Sequence, residues 1–227
     1  MATIYRRFLR QPILTWGATA EEAAAFLPGD ELLEDATGIA TRAITIDAPP
    51  SAVWPWIAQM GPSPRGGAYT YDWIENLLGL NMHSADRVMP EFQHPKIGDG
   101  FGFGANRMSY AIVEPERVLA IRSADGHWVW TFILEEQDEK TRLISRNRFR
   151  LPKLKDKLGM IPMEPGSLLM ERKMLLGLKQ HAERLWTDRS QLAAERMPHA
   201  RSQPPPADSG GGLARAPQDR ALPTRRT

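Results

Sequence analysis

The sequence predicts an α+β fold: a curved antiparallel sheet wrapped around a long C-terminal helix, with two small helices after the first strand. Three observations predict it. The segment around Arg42, Ile44 and Ile46, alternating with Ala43 and Thr45, has the two-residue period of a strand. Two short helical signatures follow, the first opened by Pro49-Pro50-Ser51 and the second lying within 71–80. After them come closely spaced strand signals, and then the longest helical pattern of the chain, 167–186. A sheet that curls around one long helix encloses space, so this order predicts a hollow interior.

Taken in order, residues 1–40 read as a poorly regular leader that lies against the body. Trp16 and Leu27-Pro28-Gly29-Asp30 mark anchored turns in it. The first strand stops at Asp47; proline tolerates the first turn of the helix that follows, and Ser51 can satisfy its free N–H groups. The glycines of Ser63-Pro64-Arg65-Gly66-Gly67 let the next loop bend over the mouth of the interior. A loop at 89–100 precedes a short strand at 101–103. Strands at 108–113 and 118–122 pair across Glu114-Pro115-Glu116, a natural turn, and Asp125-Gly126 is a strong hairpin signal. Strands at 127–134 and 141–151 pair across an acidic loop at 135–140, and Pro152 ends the second of them. On the final helix Leu168, Leu175, Leu178, Ala182 and Leu185 share one face, with Met174 at its edge.

Composition narrows the function. At 42% hydrophobic and 25% charged residues, the chain is that of an ordinary soluble protein. It has no cysteine, which excludes disulfides, thiolate metal sites and a cysteine nucleophile, and fits a cytoplasmic location. No apolar run approaches the ~20 residues of a membrane span, so no stable membrane insertion is expected. The basic pI of about 9.0 comes from the end of the chain: residues 188–227 hold seven arginines against four acids. A nucleic-acid binder concentrates its charge on a folded face, so nucleic acid is not an expected partner. The triple proline at 204–206 and triple glycine at 210–212 read as a disordered tail. The expected organisation is a leader at 1–40, one domain at 41–187 and the tail at 188–227.

This order of elements resembles the START-like, or SRPBCC, superfamily, close to a bacterial subgroup of unknown function, over roughly 30–187. The motifs that carry the resemblance are ITIDAPPSAVWPWIAQMG (44–61), YDWIENLLGL (71–80), HSAD (83–86), the alternation of Trp128, Trp130, Phe132 and Leu134, TRLISR (141–146) and MERKML (170–175). The resemblance implies a helix-grip fold with an internal cavity. It leaves activity open, because the superfamily contains carriers, receptors, cyclases and co-chaperones. Without cysteines the Rieske hydroxylase branch is removed.

Glu171 is the sharpest local feature, a carboxylate in the middle of the apolar stripe of the long helix. Burying it is costly unless it is paired or protonated. Two readings stay open: an ion pair with Arg142, Arg146 or Arg148 that fixes the helix on the sheet, or a polar anchor or acid/base group facing a ligand. The rings of Trp128, Trp130 and Phe132 on one strand face, with Trp54, Trp56, Tyr69, Tyr71 and Trp73 around the small helices, suit a pocket for an apolar, partly polar ligand. His83, Ser84 and Asp86 form the most polar cluster, but no third ligand completes a metal site. The candidate ligand-binding residues are therefore Trp54, Tyr69, Tyr71, Trp73, His83, Trp128, Trp130, Phe132, Arg146, Glu171 and Met174, with Glu171, His83 and Tyr71 as weak catalytic candidates. The leading expectation is a soluble binding protein for a small hydrophobic, lipid- or polyketide-like molecule, with no cofactor and no metal. A cyclase/dehydrase-type enzyme and a co-chaperone-like interaction module are the alternatives.

Overall fold

The structure, a computed structural model, describes residues 10–104, 106–151 and 154–196. Six strands form one antiparallel sheet: β1 (Gly38–Ile46), β2 (Gly100–Phe103), β3 (Asn106–Glu114), β4 (Val118–Ser123), β5 (Trp128–Gln137) and β6 (Lys140–Phe149). Their order across the sheet is β1-β6-β5-β4-β3-β2, so the first strand lies beside the last. Five helices accompany them among the described residues: α1 (Arg10–Leu14), α2 (Ala20–Ala24), α3 (Pro50–Ala58), α4 (Asp72–Leu77) and α5 (Leu154–Arg196). The helix-grip architecture implied by the family resemblance is present.

Turn chemistry sets the meander. β5 is longer than expected and β6 starts one residue earlier, because the acidic segment pairs instead of looping, while β6 ends two residues sooner, at Phe149. Glu135 lies opposite Arg142 and Gln137 opposite Lys140. Only Asp138 and Glu139 turn the chain, both at positive φ (48° and 65°), the backbone of the two-residue turn that matches strand twist. A register shift between Tyr110 and Ile112 interrupts the β3–β4 ladder, a device that bends a strand.

Helix α5 begins earlier and ends later than 167–186, continuing through residues 188–196. The rest of the expected tail lies outside the described residues. Residues 1–190 form one compact unit, and the last described turn, 191–196, falls in a second. Within the first unit Met174, Leu175, Leu178 and Ala182 are buried against the concave face of the sheet. Full burial of each of the larger three is worth about 1.5–3 kcal/mol.

The convex face is covered by residues 17–35, which are more regular than the sequence implied. Alternation on β6 puts Arg142, Arg146 and Arg148 on this outer face, with Arg150 just past its end, and together they hold residues 17–35. Arg142 binds both Glu22 carboxylate oxygens (2.7 and 2.8 Å) and the Gly17 carbonyl (2.6 Å). Arg146 makes two bonds to buried Asp30 (3.0 and 2.7 Å) and also donates to the Ala23 and Ala25 carbonyls. Arg148 reaches Asp30 (3.3 Å) and the Leu33 and Glu34 carbonyls, and Arg150 pairs with Asp35. A small second core of Leu27, Ala43, Ile133 and Ile144 fills the space between. At Gly29 (φ +92°) a Cβ would come within 2.4 Å of Thr131 Oγ1, so this turn sits directly on β5.

One edge of this strap is sensitive to acid. Hydrogen bonds from Arg142 lower the Glu22 pKa below its ordinary 4.5, burial opposes them, and the Thr19 backbone N–H adds to the lowering. The folded carboxyl therefore binds its proton less readily than the unfolded one. Its contribution is complete above pH 4.5 and is lost as pH falls through the folded value. The stability gap between the wild type and Glu22→Gln should be full at neutral pH and should close on acidification below 4.5. A gap that is constant across this range in denaturant titrations would show that the pair contributes no charge-dependent stability.

Candidate functional site

The concave face carries an apolar recess between β2, β3, β4, β5, the segment linking α3 to α4 and the segment after α4. Met60, Gly61, Ala68, Met82, Phe101, Phe103, Met108, Ile121, Trp128 and Trp130 line it, with no charged or hydrogen-bonding side chain beyond the two indoles. Its enclosed volume is ≈ 20 Å³, room for about one water molecule. The recess opens to solvent, and the ≈ 340 Å³ between its walls includes that open solvent. The hollow expected from the sequence is thus largely filled by its own side chains. Three of the walls are methionines, whose unbranched thioether chains repack at low cost.

Strand alternation builds the wall. Trp128 and Trp130, two apart on β5, stack with centroids 5.8 Å apart and planes 16° from parallel. Phe103 meets Trp128 edge-on at 5.7 Å, and Phe132 meets Trp130 at 4.8 Å. Each indole N–H is satisfied by the neighbouring strand: Trp128 Nε1 donates to Asn147 Oδ1 (2.9 Å) and Trp130 Nε1 to Ser145 Oγ (2.9 Å). Buried donors of this kind need such partners.

Behind the indoles lies Glu171. Ser145 Oγ donates to Glu171 Oε1 (2.6 Å), Asn147 Nδ2 reaches both carboxylate oxygens (3.3 Å each), and Arg42 on β1 forms a buried ion pair with Oε2. Arg42 is fully buried and also donates to the Ile13 carbonyl (3.2 and 3.1 Å) and Ser167 Oγ (3.0 Å). Burial pushes the Glu171 carboxyl up, while the Arg42 charge and the Ser145, Arg42 and Asn147 hydrogen bonds pull it down. One polar chain thus runs from the leader through Arg42, Glu171, Ser145 and Asn147 to the two indoles of the recess.

The partner of Glu171 is not one of the arginines proposed from the sequence. Arg142, Arg146 and Arg148 point to the convex face, because Thr41↔Arg146 and Arg42↔Ser145 are successive register pairs and alternate strand residues face opposite ways. Arg146 is accordingly removed from the ligand-facing set, and Asn147 faces inward in its place. Trp73 is also removed, standing 70% exposed on α4. His83 is exposed, and Tyr71 is half-buried, with Lys173 Nζ 5.9 Å from its ring centre. Trp54, Phe132 and Met174 belong to the surrounding core and not to the lining.

Tyr69 is buried in a second aromatic group with Trp56 and His181. His181 lies 4.6 Å from Trp56 and 5.2 Å from Tyr69, centre to centre. Burial lowers the His181 pKa, the Arg184 and Lys173 charges add to the lowering, and Asp86 opposes it. Tyr69 Oη accepts from Gln59 Nε2 (2.9 Å), and burial raises its pKa. Gly177 of α5 crosses so closely that a Cβ there would lie 2.9 Å from the Tyr69 Cβ. Neither His181 nor the lining methionines Met60, Met82 and Met108 were singled out from sequence. The alternation Gly100-Phe101-Gly102-Phe103-Gly104 was the available signal for the part of the lining carried by β2.

Among the described residues no group of three His, Asp or Glu side chains is arranged to hold a metal ion, and no helix is long and apolar enough to cross a membrane. No protein-family model matches the chain, and no curated protein matches it. Solved structures do. A Mesorhizobium loti protein aligns over 65% of this chain and 98% of its own, at 16% identity and a TM-score of 0.41. A polyketide-cyclase-like protein of Corynebacterium glutamicum aligns over 73% and 97%, at 19% identity and a TM-score of 0.36. A Bacillus halodurans protein aligns over 65% and 99%, at 15% identity and a TM-score of 0.41.

Proposed function

We propose that this protein binds a small, largely apolar molecule in the recess against Trp128 and Trp130. The observation that carries the proposal is the lining itself: aromatic faces and thioethers, with both indole N–H groups already satisfied from behind. Such a surface offers contact area and no proton donor or acceptor, which suits binding better than acid–base chemistry. The three groups that an enzymatic reading would use do not converge on it. Glu171 is bonded on both oxygens behind the indoles, His83 faces solvent and Tyr71 packs under Lys173. A ligand larger than a water molecule enters by displacing Met60, Met82 and Met108.

Calorimetric titration of the full chain with octan-1-ol tests this. Saturable binding is expected in the wild type. Ala68→Leu, which fills the recess from a buried wall position, should weaken it at least about tenfold, a loss of ~1.4 kcal/mol. Undiminished binding in a folded Ala68→Leu protein would move the site elsewhere.

A further inference from the structure

Beside the recess stands a cation, Arg65, that has no counter-charge among the described residues. Arg65 is presented by a loop closed on itself at both ends, with Gly61 N–H donating to the Gly67 carbonyl and Gly67 N–H to the Gly61 carbonyl (2.9 Å each). Its guanidinium lies over three aromatic faces: Phe92 at 4.6 Å, Phe101 at 5.5 Å and Tyr110 at 5.6 Å. Nε donates to the Met60 carbonyl (2.8 Å), and one terminal nitrogen donates to the Ala58 carbonyl (2.5 Å) and Tyr110 Oη (2.6 Å). The other terminal nitrogen has no hydrogen bond to another described residue, and no described carboxylate lies within ion-pair distance of the group. Asp99, close enough to act on Tyr110, instead accepts the Lys96 backbone N–H (3.0 Å).

Two of the residues that hold Arg65 are walls of the recess. Phe101 stacks beneath the guanidinium, and Gly61 is so close that a Cβ there would lie 2.8 Å from Arg65 Cδ. The bonds to the Ala58 and Met60 carbonyls also cap the end of α3, a role that uses Nε and one terminal nitrogen and is indifferent to the other. A guanidinium held this rigidly, with both N–H groups of one terminal nitrogen left over, can give charge-assisted hydrogen bonds to a carboxylate or another oxyanion. Aromatic faces fix its position but neutralise little of its charge.

We infer that the ligand is an amphipathic anion: an apolar body in the recess and a carboxylate or equivalent oxyanion on Arg65. This rests on the binding proposed above and adds the chemical class of the head group. The test compares octanoate with octan-1-ol, which share a chain and differ in the head, by calorimetry on the full-length protein. In the wild type octanoate should bind about tenfold or more tightly than octan-1-ol, with only the octanoate affinity falling as ionic strength rises. Arg65→Met should abolish the preference, and Arg65→Lys should keep part of it. The ratio is taken within each variant, so a general loosening of the α3 end weakens both ligands and leaves it unchanged. If Arg65→Met does not fold, the Lys variant and the salt dependence decide the matter alone. Binding of octan-1-ol without preference for octanoate overturns the anion assignment and leaves the recess standing. A preference that survives in Arg65→Met assigns the anion to another group. Failure of octan-1-ol to bind the wild type removes the recess reading and this inference together.

Discussion

Arg42→Met is expected to destabilise the protein by about 3–5 kcal/mol, the usual penalty for leaving one member of a buried ion pair without its partner. Arg42 is fully buried between the leader and α5, and its guanidinium is the only cation paired with Glu171 among the described residues. Its loss also strands the Ile13 carbonyl and Ser167 Oγ. Denaturant unfolding of the single variant and of Arg42→Met/Glu171→Leu separates charge from packing. The double variant should be more stable than Arg42→Met alone, because the uncompensated carboxylate is gone. It should remain below the wild type, since Ser145 and Asn147 then lose an acceptor. The near-ultraviolet circular dichroism of the stacked indoles should change in both, as Ser145 and Asn147 orient them. A single variant within about 1 kcal/mol of wild type would mean that Glu171 is not left as an uncompensated charge when Arg42 is removed.

Asp30→Asn should cost roughly 3 kcal/mol and release the strap from the convex face. Asp30 is buried between two guanidiniums, with Arg146 at 2.7 Å and Arg148 at 3.3 Å, and also accepts the Leu27 backbone N–H (3.1 Å). Removing its charge leaves two buried cations facing each other, which carbonyl contacts cannot neutralise. Hydrogen exchange should quicken across 17–35 before it does in β5, and limited proteolysis should cut there first. Unchanged exchange in that segment would show that the carbonyl contacts alone hold the strap.

The meander was legible in the sequence because its signals are local. Glu114-Pro115-Glu116 and Asp125-Gly126 specify turns within a few residues, and the alternation of Trp128, Trp130 and Phe132 names a face without reference to anything distant. What alternation does not name is which face is inward. That choice separates Arg146 from Asn147 and Arg142 from Ser145, and it is set by the pairing of β6 with β1, about a hundred residues earlier. The partner of Glu171 was hidden for the same reason: Arg42 belongs to the strand read most clearly, yet nothing local aims it at a helix 129 residues away. Trp73 misled because aromatic size was taken for burial on a short helix with one outward side. Met60, Met82 and Met108 carry no pattern at all, since they come from three segments that only the folded chain assembles. Arg65 sits in a glycine-rich loop whose closure, and not its composition, gives the charge its place.

The strap has a consequence for how the chain is made. Residues 17–35 and β1 both bond to β6, so these contacts cannot close until about residue 149 has been synthesised. Until then the carboxylates of 17–35 and the apolar face of β1 wait in solution, and the four arginines that will receive them are still unsynthesised. Contacts of such sequence separation are slow to close and delay completion of the sheet until late in translation. One side of these ion pairs is thus made more than a hundred residues before the other.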